Sequence, residues 1–242
     1  MTAPYVYRTL PAKTVTIAAS SLAVFTILIT YIIGVLFFNL PVWLPMISDG
    51  FAAGLITLAI SRLGIIVSAF LLWVNNGLMF FYIRGSMQMA GGMVAAISTH
   101  AAFWVCTVAC FCLAVVAAVD ENENGTVHGT AAVIFFVGEL VMMFVYANRL
   151  NADPMKNSAS VHFKHALAMV SVVVGLAAAY FASNWHRFHI QVAECEWFGV
   201  FLVLLYNLSF LVEFKDLLIG EILEEDDVVY RQNFQTYQKV RV

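Results

Sequence analysis

The side chains with the widest chemical reach in this chain stand inside long hydrocarbon runs. His128 and Glu139 are eleven residues apart, about three helical turns, so on one helix they project from nearly the same face at different depths. Glu196 and Asn207 repeat that spacing. Arg62 falls at a depth comparable to Glu139 when both are counted from the same membrane surface, and Asn75 and Asn76 follow further along its segment. Charges and amides in hydrocarbon are costly and are paired or turned toward a bundle interior. Two readings follow: a polar track serving lipid headgroups, protons or ions, or interhelical hydrogen bonds with one Arg62–Glu139 ion pair that fixes helix registry. The second asks less of the residues and is the expectation.

Other constellations are thinner. His162 and His165 lie at i,i+3, and His186 and His189 flank Arg187 beside Trp185. Each pair lacks further ligands for a metal, and His, Trp and Arg at such positions serve as membrane-surface anchors. Cys106 and Cys110, one turn apart, with Cys112 nearby, are expected to pack as small apolar residues, and Cys195 has no partner for a disulfide. There is no HExxH, no phosphate-binding glycine loop and no nucleophile elbow. The expectation is therefore no metal, no cofactor and no enzyme.

The elements that must carry these residues follow from composition. Of the 242 residues, 62% are hydrophobic and 11% charged, with a mean hydropathy of +0.87, so lipid must be the solvent. A helix satisfies its own backbone where water is absent, so long apolar runs are read as spanning helices. The runs lie at about 15–38, 55–83, 93–119, 127–147, 166–182 and 192–212. The second and third are separated by Arg84, Gly85, Gly91 and Gly92. The predicted fold is all-α: a six-helix transmembrane domain over residues 1–223, followed by a cytoplasmic tail, 224–242.

Basic residues near span ends stay on the cytoplasmic side. With the N-terminus inside, Arg8, Lys13, Arg84, Arg149, Lys156, Lys164, Lys215, Arg231, Lys239 and Arg241 are cytoplasmic, against Arg187 alone outside, with Arg62 inside a span. That ten-to-one split predicts both termini in the cytoplasm. Three short loops then face outward, and the second carries Asn124-Gly125-Thr126, an N-glycosylation acceptor pattern.

Three segments, in order, carry a resemblance. They are Pro45-Met46-Ile47-Ser48-Asp49 after the first span, His128-Gly129-Thr130-Ala131-Ala132 with Phe135 on the fourth, and Cys195-Glu196-Trp197 on the sixth, with Glu213-Phe214 at its far end. Together they resemble the DRAM (damage-regulated autophagy modulator) family and its wider Frag/DRAM/Sfk superfamily of six-span proteins. The loop after Asp49 departs from the family pattern, lacking its usual Thr, Pro and Glu and passing into Phe51-Ala52-Ala53-Gly54. The matching residues suggest an outer cluster in which Pro45 shapes a turn and Asp49 accepts backbone N–H groups or meets His128. Glu196 would close the cluster beside Trp197, as a structural lock or a lipid site.

The resemblance implies a non-enzymatic membrane regulator acting in autophagy, at endolysosomal membranes or at the plasma membrane, through membrane lipids or another membrane protein, and not through nucleic acid. A lipid-binding or lipid-remodelling factor of the GPI-anchor type and an auxiliary subunit of a channel are the alternatives. In the tail, Glu224 to Asp227 form an acidic block and Tyr237 to Val240 fit a tyrosine-based sorting pattern; Glu213 to Leu218 fit an acidic dileucine one. Oligomeric state is left open by the sequence.

Overall fold

The computed structural model describes residues 6–87, 93–153 and 156–222. A strand, β1 (Val6–Pro11), leads into α1 (Ala12–Phe37), and a short helix α2 (Ile47–Ala52) follows a loop. Four long helices come next: α3 (Leu55–Met87), α4 (Met93–Ala118), α5 (Glu121–Asn151) and α6 (Ser158–Ala182). The last helix, α7 (Trp185–Leu208), tightens into a 3₁₀ turn at Ser209–Leu211 before β2 (Leu218–Ile222). Every described helix except α2 is long and apolar enough to cross a membrane, which makes the chain a six-span helical bundle. The acidic block and Tyr237 and Val240 lie outside the described residues, as does the Gly91-Gly92 connection.

The helices outrun the hydrocarbon stretches that announce them. The fourth span begins at Glu121 and the fifth at Ser158, because polar first turns, capped by Asp120 and Asn157, extend each helix past its apolar run. Asp120 accepts from the backbone N–H groups of Asn122 and Glu123. α5 is not continuous: Asn124 leaves helical geometry (φ −159°, ψ 87°), and its side chain caps the next turn by accepting from the Val127 N–H at 3.1 Å. The main helical stretch thus starts just after the acceptor asparagine.

One element has no hydropathy signal. β1 and β2 pair antiparallel, with Leu10 opposite Ile219 and Pro11 opposite Leu218, and the Ala12 N–H donates to the Leu217 carbonyl at 2.9 Å. The two strands are a small addition to a helical fold, and they bring both ends of the described chain to the same end of the bundle. That end is called the β end; the other is the α2 end.

Packing is closest where side chains are smallest. A Cβ at Gly138 of α5 would lie 2.7 Å from the Ala109 Cβ of α4, and a Cβ at Gly64 of α3 would collide with Thr26 of α1. Close backbone approach of this kind drives helix association in lipid, where no hydrophobic force separates helix from solvent. At the β end the buried Lys164 of α6 bonds Glu213 at 2.9 and 3.0 Å, Ser160 Oγ at 2.7 Å and the Ser209 carbonyl at 3.2 Å, with the Phe210 ring 5.8 Å away. Lys164 therefore belongs not to the cytoplasmic segment but to the interior, and Phe214, fully buried, packs on Phe210 with ring centroids 5.9 Å apart. The same contacts occupy the acidic residue of the dileucine pattern, whose Leu217 packs onto the core.

Candidate functional site

The sixth-span motif closes over the loop before α2. Glu196 Oε2 accepts from the Ile47 N–H at 2.9 Å, and the Trp197 indole donates to the Pro45 carbonyl at 2.9 Å. Tyr31 of α1 supports this clip, its ring edge-on to Trp197 at 6.0 Å and its hydroxyl donating to the Val42 carbonyl. Asp49 turns back on its own helix, accepting from the Met46 N–H at 3.1 Å. It is a backbone acceptor and not the partner of His128.

His128 points elsewhere. Its Nδ1 lies 2.8 Å from the Val119 carbonyl, and because a carbonyl only accepts, Nδ1 carries the proton. Ser48 is buried, with its hydroxyl lacking a hydrogen-bond partner.

His128 and Glu196 share something other than a bond: both line an open cavity of about 100 Å³. Its walls come from Ile27 and Ala23 of α1, Ile65 and Leu72 of α3, Val116 of α4, Phe135 of α5 and Val203 of α7, with Ile47 and Phe51 of α2 at the top. The lining runs from Ile27 to Ala19, from His128 to Phe136 and from Glu196 to Leu204. Eight residues of helix rise about 12 Å, so the cavity is a slot along the bundle axis with its two titratable groups at the α2 end. This slot was not legible in the sequence, because apart from His128 and Glu196 its walls are built mostly from the ordinary apolar residues of spanning helices.

The Arg62–Glu139 pair does not form. Arg62 bonds both carboxylate oxygens of Glu123 at 2.7 Å and lies 3.9 Å from Asp120, fastening α3 to the start of α5. Depth is the reason: Arg62 is seven residues into α3, roughly 10 Å, whereas Glu139 is eighteen into α5, roughly 27 Å.

Glu139 belongs instead to a polar cluster below the floor of the slot. Thr16 donates to Asn75 Oδ1 at 2.6 Å, and Asn75 donates to Asn207 Oδ1 at 3.0 Å. Asn76 donates to Cys106 Sγ at 3.0 Å, and Tyr146 donates to the Asn76 carbonyl. Cys106 Sγ lies 3.9 Å from Cys110 Sγ and 3.6 Å from Glu139 Oε1. The ligand atoms of Cys106, Cys110 and Glu139 all lie within 4.8 Å of one another. Among the described side chains the histidines do not assemble in this way: His165 spends its two nitrogens on the Val161 carbonyl and Asn148, and His189 stacks edge-on to Trp185.

A family model described as the Frag1/DRAM/Sfk1/Cwh43P N-terminal domain matches residues 11–217. No curated protein and no solved structure matches the chain. The match covers most of the sequence, and the chain belongs to this family of membrane proteins.

Proposed function

We propose that this member of the Frag1/DRAM/Sfk1/Cwh43P family is a non-enzymatic membrane regulator that works by holding a membrane lipid in the slot between α1, α3, α5 and α7. One observation carries the reading: an open, largely apolar cavity about one acyl segment deep, with its two titratable groups at one end. Apolar walls with a few convergent polar groups are the usual anatomy of a small-molecule site. The walls suit an acyl chain, and His128 and Glu196 suit the polar part of the same molecule.

The same geometry argues for binding over turnover. Glu196 is held by the Ile47 N–H and His128 by the Val119 carbonyl, so each is anchored to backbone, and Asp49 is engaged in its own cap. A purified sample carrying a photoactivatable phospholipid tests both halves. Wild type is expected to crosslink within the slot, while Ala23→Phe and Ala132→Phe, which fill it, lose most of the label. The lipid should be recovered chemically unchanged. Equal labelling of the filled variants, or recovery of cleaved or transferred lipid, would contradict the reading.

Orientation and residence complete the proposal. The charge split favours both termini in the cytoplasm, which puts the α2 end and the mouth of the slot at the outer or lumenal leaflet. Arg62, at the α2 end, joins Arg187 there, and with Lys164 buried against Glu213 the split becomes nine to two. Asn124, exposed at that end, is the proposed glycan acceptor; Asn124→Gln should abolish any glycosidase-sensitive mobility shift. An endolysosomal or plasma membrane is the proposed residence, with regulation of autophagy or of a neighbouring channel as the downstream role the family resemblance suggests.

A further inference from the structure

We propose that Cys106, Cys110 and Glu139 form a binding site for a zinc-class divalent cation in the middle of the bundle, tying α4 to α5. Two of the three ligand separations match the ion, and the third, between Cys110 Sγ and Glu139, lies within 4.8 Å. Zinc binds thiolate sulfur at about 2.3 Å and carboxylate oxygen at about 2.0 Å, which in a tetrahedron separates two sulfurs by roughly 3.8 Å and sulfur from oxygen by roughly 3.5 Å. The cluster has 3.9 Å between the sulfurs and 3.6 Å from Cys106 Sγ to Glu139 Oε1.

Apolar packing of two thiols does not account for their neighbours. Glu139 and Asn76 are fully buried; the Asn207 side chain stands near the Glu139 carboxylate, yet Glu139 Oε2 and Asn76 Oδ1 complete no hydrogen bond. Two bare acceptor oxygens beside two sulfurs are costly in a protein interior and are the arrangement a cation relieves. The described ion pairs are elsewhere, Arg62 with Glu123 and Asp120, and Lys164 with Glu213.

Binding displaces the two thiol protons, and any proton on Glu139, to solvent, leaving two thiolates and one carboxylate around a doubly charged ion. The complex carries one net negative charge, which the Asn76 amide, donating to Cys106 Sγ, helps to hold. The Asn76 amide already reaches Cys106, and a rotation that exchanged its nitrogen for Oδ1 would offer a fourth ligand. Gly138 permits the approach, since a side chain there would push α5 away from Ala109 and separate Glu139 from the thiols.

The site stands independently of what the slot holds, and the test uses the full chain and the metal alone. Protein produced with zinc in the medium and purified without chelator should carry about one zinc per chain by elemental analysis. Cobalt(II) exchanged into the site should give the absorption of tetrahedral thiolate coordination. Cys106→Ser and Cys110→Ser, singly, should lose the metal and the cobalt spectrum, Glu139→Gln should bind roughly 10- to 100-fold more weakly, and Cys112→Ser should retain full occupancy. The wild-type cobalt spectrum reports on the site even if a cysteine variant fails to fold. Wild-type protein that holds no zinc and takes up no cobalt would overturn the proposal, as would metal content indifferent to Cys106, Cys110 and Glu139.

Discussion

Among single residues, burial decides which charges matter. Lys164 is fully buried and Glu213 nearly so, whereas Arg62 and Glu123 are substantially exposed. Breaking a buried pair strands a charge at a cost of about 3–5 kcal/mol, while an exposed pair is worth about 1 kcal/mol or less. Lys164→Met should therefore lower thermal stability in detergent sharply, and Lys164→Met with Glu213→Leu should recover most of the loss. Arg62→Gln should be nearly silent and its small effect should fade with salt. Additive losses in the Lys164–Glu213 double variant would show that the two do not act as a pair. The apolar run that predicts the fifth span starts at residue 166, which left Lys164 in the cytoplasmic segment before it; only the helix that begins at Ser158 turns it inward.

Helices were largely legible, because hydropathy reports what lipid requires, and their ends were not. Polar caps at Asp120 and Asn157 add turns that no apolar run announces, and the β1–β2 pair depends on a contact between residues more than two hundred positions apart. The clip of Glu196 and Trp197 on Ile47 and Pro45 was partly legible, since the family-like segments marked both partners, though not the bonds between them. The cysteine cluster was missed because its signal is split between α4 and α5, with no spacing rule to connect Cys106 and Cys110 to Glu139. At this scale Gly138 is the sharpest test of how α4 and α5 pack. Gly138→Val puts methyl groups where Ala109 already stands and should destabilise the bundle by about 1–3 kcal/mol, read from thermal unfolding. An unchanged transition would mean that the two helices are further apart than described here.

The whole molecule is a bundle with two ends of different character: an ion-paired, strand-tied β end and an α2 end where a lid of loop and short helix covers an open slot. Epitope tags at both termini should become accessible only after membrane permeabilisation if the β end is cytoplasmic; labelling of either tag on intact membranes would reverse the orientation. Exposed Val42 and Trp43 in the loop before α2 suit the lipid interface, so the lid sits where a lipid would enter. The most direct test of the central claim, that the slot holds a lipid, is a density map of the full chain in phospholipid nanodiscs, with a rigid binder to aid alignment. The account predicts elongated density about 12 Å long between α1, α3, α5 and α7, with its polar end against His128 and Glu196. A slot closed by its own side chains, with no density between the helices, would contradict it.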